Sequence, residues 1–179
     1  VSPIVIGITG SNGKTTTKDM TASVLAQKYK VHKTEGNFNN HLGLPLTILR
    51  MAEDTEVAVL EMGMSGKGEI ELLSTLAKPH LAVITNIGES HLLDLGSREG
   101  IADAKLEILT GLQEDGVVIY NGDEPLLKEK LKHASFNLQS FGRSQQNTIY
   151  PLHIEAGNDG NRTYKLNYKI YTLEEYEQK

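Results

Sequence analysis

The first residues of the chain combine the types that bind phosphate. An apolar run over Ile4 to Thr9 leads into two closely spaced glycines, a lysine and three threonines. Glycine lets successive backbone N–H groups turn toward one anion, and the start of the following helix favours negative charge. In such a loop the lysine contacts the β- and γ-phosphates, and the next hydroxyl ligates Mg²⁺. We predict that a nucleotide is bound by Gly10, Ser11, Asn12, Gly13, Lys14, Thr15 and Thr16.

The loop departs from the common phosphate-loop pattern at one position. Glycine is usual five positions before Gly13, and the residue there is Ile8. The chain therefore has the shorter form G-x-x-G-K-T-T. An ordinary turn between strand and helix is the alternative to a phosphate site, but the strand, loop and helix follow in the order that phosphate binding requires.

Polar side chains also follow the other apolar runs. Ligands of an open parallel sheet bind outside the carboxyl ends of its strands. Glu61 is the last residue of the strand predicted over 57–61. Asn86 and His91 follow the strand predicted over 81–85, and Asn121 follows the one predicted over 117–120. Glu61 can ligate Mg²⁺ through its carboxylate, with a solvated loop acid as the alternative. His91 is a candidate because of its sequence neighbours, and a surface histidine is the alternative.

Lys105 lies in the middle of an apolar stripe. In a helix from Arg98 to Leu112 it shares one face with Ile101 and Ile108, so its side chain is predicted to point inward. Two explanations stay open. The ammonium can reach solvent past its neighbours, or it stays buried, where it pairs with anionic groups or loses its proton and becomes a reactive amine.

The elements that must position these residues alternate between short β-branched runs and amphipathic stretches of helical length. This alternation is typical of parallel strands with helices on both faces. We predict an α/β fold with a mostly parallel sheet, similar to P-loop NTPases. The predicted strands are 4–9, 31–33, 57–61, 81–85, 117–120 and 138–141. The predicted helices are 14–27, 44–51, 69–77, 98–112 and 125–131, with Ser97 and Asp123 as the N-caps of the last two.

The chain changes character after Phe141. Two alternating runs, 149–155 and 162–168, flank a segment rich in glycine, asparagine and aspartate. This pattern predicts an antiparallel hairpin within residues 145–170. A hairpin of this size is too small to be a separate domain, so residues 1–179 are expected to form one nucleotide-binding domain.

Composition argues against several classes of function. The 179 residues include 23 acidic and 18 basic side chains, with a net charge of -5 and a pI near 5.7, which disfavours nucleic acid as a partner. The absence of cysteine excludes a disulfide framework and a thiolate metal site. No apolar run approaches the roughly 18 residues of a membrane span. We expect a cytoplasmic monomer.

Five ordered motifs resemble the central ATP-binding domain of the Mur ligases, the amide-forming enzymes of bacterial cell-wall precursor synthesis. The motifs are residues 9–16, 35–47, 61–64, 85–91 and 104–108. The second of them contains an asparagine-rich block. Together they cover the chain up to about residue 125. The asparagine-rich block is similar to that of the members that join D-alanyl-D-alanine to a UDP-N-acetylmuramoyl-tripeptide.

The resemblance implies ATP as cofactor and two Mg²⁺ sites. Lys14 would be catalytic, stabilising charge during phosphoryl transfer, and Thr15 would ligate the first Mg²⁺. Glu61 and His91 would bind the second, and His91 would thereby be catalytic. Lys105 matches the family lysine that carbon dioxide carbamylates, and its carbamate would support the second metal and orient the γ-phosphate.

Further contacts to substrate or nucleotide are implied at Asn37, Asn39, Asn40, Asn86 and Asn121, and Asn40 is implied to be catalytic. The implied reaction activates a peptide carboxylate as an acyl phosphate, which the amine of D-alanyl-D-alanine then attacks. The family also has a domain for the uridine nucleotide and a domain that closes over ATP, and neither fits in 179 residues. We therefore expect a truncated fragment of a three-domain ligase that binds Mg-ATP weakly or not at all and does not ligate alone.

Three other functions remain open. Another Mur ligase or a folylpolyglutamate synthase would differ in the acceptor. A P-loop kinase or NTPase shares the loop and sheet but gives no reason for the 37–40 block or an inward Lys105. A non-catalytic module that binds nucleotide without turning it over is the third.

Overall fold

The strands of this computed structural model, which describes residues 2–90, 92–156 and 162–167, form two sheets. The strands are β1 (Ile4–Thr9), β2 (Val31–Lys33), β3 (Val57–Glu61), β4 (Leu81–Ile84), β5 (Val117–Asn121), β6 (Asn137–Phe141), β7 (Tyr150–Ala156) and β8 (Arg162–Asn167). The first six make a parallel sheet in the order β2-β3-β1-β4-β5-β6. The predicted strands all exist, with ends that differ by one residue at most.

The helices are α1 (Lys14–Leu25), α2 (Gly43–Leu49), α3 (Glu69–Ala77), α4 (Leu92–Leu95), α5 (Arg98–Leu106) and α6 (Pro125–Leu131), and a 3₁₀ helix over Glu107–Gly111 continues α5. The single helix predicted over 98–112 is therefore two elements, and α4 was not predicted. The N-cap at Ser97 is confirmed, since its hydroxyl accepts from Gly100 N. No helix within the described ranges is long and apolar enough to cross a bilayer.

The N-cap predicted at Asp123 is wrong. Glu124 caps α6, with its carboxylate accepting from Leu126 N. Asp123 is not available for that role because its carboxylate accepts from Arg143 N and Ser144 N in the loop after β6. A long-range contact thus shifts the cap by one residue.

The order of the strands creates a crevice at the carboxyl ends of β1, β3 and β4. Ile8 lies opposite Glu61 of β3, and Thr9 lies opposite Ile84 of β4. The connection after β1 leads to β2 on one side of the sheet, and the connection after β4 leads to β5 on the other, so the connections diverge between β1 and β4. Such a switch point is where open parallel sheets bind ligands.

Both faces of the sheet are covered, as predicted. On one face, Ile6 and Ile8 of β1 are buried together with Ala22 of α1. On the other, Val5 of β1 belongs to the larger core, which also contains Ile101 of α5. Successive strand residues alternate between these two cores because strand side chains point to opposite faces.

The predicted hairpin is present as β7 and β8, which pair antiparallel from Tyr150 opposite Asn167 to Ala156 opposite Arg162. Its turn, residues 157–161, and the end of the chain, 168–179, lie outside the described residues. The structure thus agrees with an α/β sheet followed by a small antiparallel extension.

Candidate functional site

The loop between β1 and α1 has the backbone of a phosphate site. Gly10 and Gly13 have φ values of 145° and 79°, which disfavour any residue with a Cβ. The α1 helix starts without a side-chain cap and without an acidic residue in its first turn. Its first N–H groups therefore fit an anion, which the helix dipole also attracts. Lys14 Nζ donates to Gly10 O at 2.9 Å, so its ammonium lies over the loop.

The loop is fixed to the end of β4 by four hydrogen bonds. Ser11 N and Asn12 N donate to Asn86 O and Oδ1 at 3.1 and 2.9 Å. Thr85 Oγ1 donates to Asn12 O at 2.6 Å, and Gly88 N donates to Ser11 Oγ at 2.8 Å. Three residues predicted to contact nucleotide, Ser11, Asn12 and Asn86, thus bind one another and shape the loop. Thr85 was not predicted as a site residue, although its hydroxyl directly after a strand was a signal for one.

Glu61 is a buried carboxylate, 2% exposed, at the end of β3. Its Oε2 accepts from Thr15 Oγ1 at 2.9 Å, and its Oε1 accepts from Asn39 Nδ2 at 2.8 Å. Glu61 and Thr15 had been predicted for different Mg²⁺ ions, and the structure brings them into contact. A carboxylate and a hydroxyl beside a phosphate loop suit Mg²⁺, which binds one or two carboxylates together with phosphate oxygens and water.

Lys18, which was not predicted as a site residue, is linked to Glu61 through Thr34. Its side chain is buried, and Nζ donates to Thr34 O at 2.8 Å and lies 3.3 Å from Asp19 Oδ1. Thr34 in turn accepts at Oγ1 from Glu61 N at 2.9 Å. Its spacing could have indicated a role at the site, because a residue four positions after Lys14 lies on the same face of the helix.

The asparagine-rich block divides between site and scaffold. The side-chain amide of Asn39 donates to Glu61, and its backbone carbonyl accepts a hydrogen bond from Gly63 N at 2.8 Å. Asn40 Oδ1 accepts hydrogen bonds from Leu42 N and Gly43 N at 3.1 and 2.9 Å. These bonds stabilise the start of α2. Asn37 is exposed. Contacts from these asparagines to a substrate stay a prediction.

Lys105 points inward, as predicted, and is only 1% exposed. The pKa of its amine is lowered from 10.5 to about 8, mainly by burial and also by the Lys14 ammonium, while Glu107 partly opposes the shift. The structure therefore favours a buried amine over an ammonium that extends into solvent. At pH 7 a pKa of about 8 leaves about a tenth of the amine neutral, against roughly 0.03% for 10.5.

Asn121 closes a turn at the end of β5, where its Oδ1 accepts from Asp123 N at 3.0 Å. Asp123 accepts from Arg143 N, from Ser144 N and from the amide of Asn147. These contacts lower the pKa of Asp123, and the hydrogen bond from Arg143 N has the largest effect. A nucleotide contact at Asn121 stays a prediction.

His91, predicted as a catalytic residue and metal ligand, lies outside the described residues. The structure therefore brings together Lys14, Thr15, Glu61 and Asn39 at the crevice, with Lys105 near enough to Lys14 for their charges to interact.

Comparisons with known proteins agree with this geometry. The family described as the Mur ligase middle domain matches residues 8–175. The UDP-N-acetylmuramoyl-tripeptide--D-alanyl-D-alanine ligase of Bacillus subtilis (strain 168) is 63% identical over 158 residues, which cover 83% of this chain and 35% of that protein. The chain thus spans about a third of that relative's length.

Two solved structures are similar over nearly the whole chain. MurF from Acinetobacter baumannii superposes with a TM-score of 0.85 at 36% identity, covering 92% of this chain and 36% of that one. MurF ligase from Thermotoga maritima in complex with ADP gives 0.85 at 35% identity, covering 93% and 38%. With a family model that matches nearly all of its length, the chain belongs to the Mur ligases, to the family of their middle domain.

Proposed function

We propose that this chain is the ATP-binding part of a cytoplasmic ligase that joins D-alanyl-D-alanine to a UDP-N-acetylmuramoyl-tripeptide. The observation that carries the proposal is the burial of the Lys105 amine close to Lys14 of the phosphate loop. Nucleotide hydrolysis or transfer to a hydroxyl gives no reason for this second lysine. The names of the relatives, which are ligases with these substrates, support the same choice.

The proposed reaction has two steps. An oxygen of the peptide carboxylate attacks the γ-phosphorus of ATP, ADP leaves, and an acyl phosphate forms. The amine of D-alanyl-D-alanine then attacks the acyl carbon, phosphate leaves, and the nitrogen loses a proton. The first step brings two anions together, so the site has to supply positive charge where the transferred group passes.

The chain supplies that charge from one edge of the sheet. The first N–H groups of α1 hold the phosphates, and Lys14 moves from Gly10 O to the β- and γ-phosphates. Thr15 and Glu61 would hold one Mg²⁺, which neutralises phosphate charge when bound. We assign a second Mg²⁺ to His91 and a carbamate on Lys105.

Carbamylation needs the neutral amine that burial of Lys105 provides. The nitrogen lone pair attacks the carbon of carbon dioxide, an N–C bond forms, one C=O electron pair moves to oxygen, and the nitrogen releases a proton to water. The product replaces a buried cation by an anion that faces the Lys14 ammonium. Opposite charges at this distance stabilise one another, whereas two ammonium groups repel.

The asparagines complete the proposal. Asn39, which donates to Glu61, would hold that carboxylate toward the metal. Asn40 uses its Oδ1 for the start of α2, so its Nδ2 is the group available for the γ-phosphate or acceptor. Asn37 would contact substrate, and Asn121 would lie near the adenine.

Ligation by the full-length protein tests the proposal. Lys14→Ala and Lys105→Ala should each reduce the rate of amide formation at least about a hundredfold, the scale of a lost electrostatic contact to the transition state. Lys132→Ala, at the exposed end of α6, is the matched control and should be unchanged. Turnover near that of the wild type in either site variant would overturn the assignment. Glutamate as the preferred acceptor would point to a folylpolyglutamate synthase, and a stable phosphorylated product to a kinase.

A further inference from the structure

Thr9 carries an unpaired hydroxyl in the interior. It is the last residue of β1, directly before the phosphate loop, and its side chain is fully buried. Among the residues that the structure describes, Thr9 Oγ1 is the one buried side-chain oxygen or nitrogen without a hydrogen-bond partner. Buried hydroxyls are nearly always paired because an unpaired one loses its bonds to water, so a partner for this oxygen has to be sought.

The side chain of Thr9 lies on the face of the sheet that is covered by the helix carrying Lys105. Thr9 lies opposite Ile84, which belongs to the larger core on the α5 side of the sheet. Gly7, two residues earlier in β1, lies on the same face, and a Cβ added there would be 3.3 Å from Ile108 Cδ1. Glu61, paired with Ile8, is on the opposite face, next to α1.

The direction of α5 places Lys105 at the height of Thr9. The helix begins at the carboxyl edge of the sheet, where Arg98 donates to Ile87 O, and the chain reaches the amino edge at Gln113, whose N donates to Pro79 O. From Ile108 back to Lys105 the helix moves about 5 Å toward the carboxyl edge. From Gly7 to Thr9 the strand moves about 7 Å in the same direction.

A third group marks the same place. Lys14 Nζ donates to the carbonyl of Gly10, which is the residue after Thr9. The positive charge of Lys14 also interacts with the Lys105 amine. From these positions we infer that the Thr9 hydroxyl, the Lys105 amine and the Lys14 ammonium lie in the same region, beside the first residues of the loop.

We propose that Thr9 is a positioning residue whose hydroxyl donates a hydrogen bond to the carbamate on Lys105. This inference rests on the proposed function, which places a carbamate there. The carbamate adds three heavy atoms to the Lys105 side chain, one carbon and two oxygens, and the oxygens accept hydrogen bonds. The hydroxyl would hold one oxygen, leaving the other to face the metal and the γ-phosphate.

The test uses full-length protein with ¹³C-labelled bicarbonate, and measures the carbamate carbon by NMR as a function of dissolved carbon dioxide. Thr9→Val, which removes the hydroxyl at nearly constant volume, should raise the half-saturating concentration at least about tenfold, the scale of a hydrogen bond to a charged group. Thr9→Ser keeps the hydroxyl and should stay within about twofold of the wild type. Lys105→Met should show no carbamate signal, which locates the signal on Lys105.

The outcomes separate the two proposals. Equal carbamate occupancy in wild type and Thr9→Val overturns the role of Thr9 and leaves carbamylation standing. No carbamate in the wild type at any carbon dioxide concentration overturns carbamylation and the role of Thr9 with it. The melting temperature is a second readout: bicarbonate should raise it, and the rise should be smaller in Thr9→Val than in the wild type.

Discussion

The buried ammonium of Lys105 should make the chain less stable than a variant without it. Lys105→Met keeps a flexible side chain of similar volume and removes the charge. The drop in the pKa of Lys105 from 10.5 to about 8 corresponds to about 3 kcal/mol of unfavourable free energy in the folded, protonated state. In buffer free of carbon dioxide at neutral pH, the variant should therefore be more stable by up to about 3 kcal/mol.

The pH dependence has a defined sign. Below pH 8 both folded and unfolded chains bind the proton, so the loss of stability is constant. Between about 8 and 10.5 the unfolded chain binds a proton that the folded chain has released, so the stability of the wild type rises with pH. The advantage of Lys105→Met should therefore shrink over this window and vanish above it.

Urea unfolding followed by circular dichroism, at several pH values from 7 to 10.5, measures the difference. Other groups titrate in both proteins and cancel in it. Lys132→Met replaces an exposed lysine outside the site and measures the effect of a lysine-to-methionine change without burial. A constant difference between wild type and Lys105→Met across the range would refute the reasoning, because it would mean that the folded chain does not depress this pKa.

Two further perturbations test the scaffold of the site. Gly10→Ala places a Cβ against Thr85 Oγ1 at a φ of 145°, so Mg-ATP binding by the full-length protein should weaken at least about tenfold by calorimetry, and unchanged affinity would contradict the loop geometry. Asp123→Ala removes the acceptor of Arg143 N, Ser144 N and Asn147 Nδ2 and should lower the free energy of unfolding by about 1 to 3 kcal/mol. Because the pKa of Asp123 is lowered from 3.8, its contribution to the free energy of unfolding should persist above pH 3.8 and disappear as the pH falls through the lowered value. If the stability difference between wild type and Asp123→Ala were already lost near neutral pH, that would contradict the prediction.

Local pattern was sufficient for most elements. The strand Val57–Glu61 and the helices Glu69–Ala77 and Pro125–Leu131 have the predicted bounds. Each is marked by residues that the chain alone displays, such as a β-branched run or a proline at the first helical position. These signals act over a few residues, so no tertiary information is needed to recognise them.

Elements that depend on distant contacts were less predictable. The helix predicted over 98–112 changes to a 3₁₀ helix after Leu106, where Ser74 Oγ accepts from Gly111 N and donates to Ile108 O. Gly111 packs against the backbone of Ser74 with no room for a Cβ. Periodicity cannot reveal such a contact, because its two partners are 37 residues apart.

The chemical groups of the site could be identified from the amino-acid order alone: a phosphate loop, a carboxylate at a strand end, an asparagine block and a lysine that points to the interior. The partners of these groups depend on the fold. Thr15 meets Glu61 although 46 residues separate them, and Asn39 meets the same carboxylate from another loop. The pairing follows from the order of strands, which brings the ends of β1 and β3 side by side. The unpaired Thr9 hydroxyl is likewise invisible in the sequence, since being without a partner is a property of a packed interior.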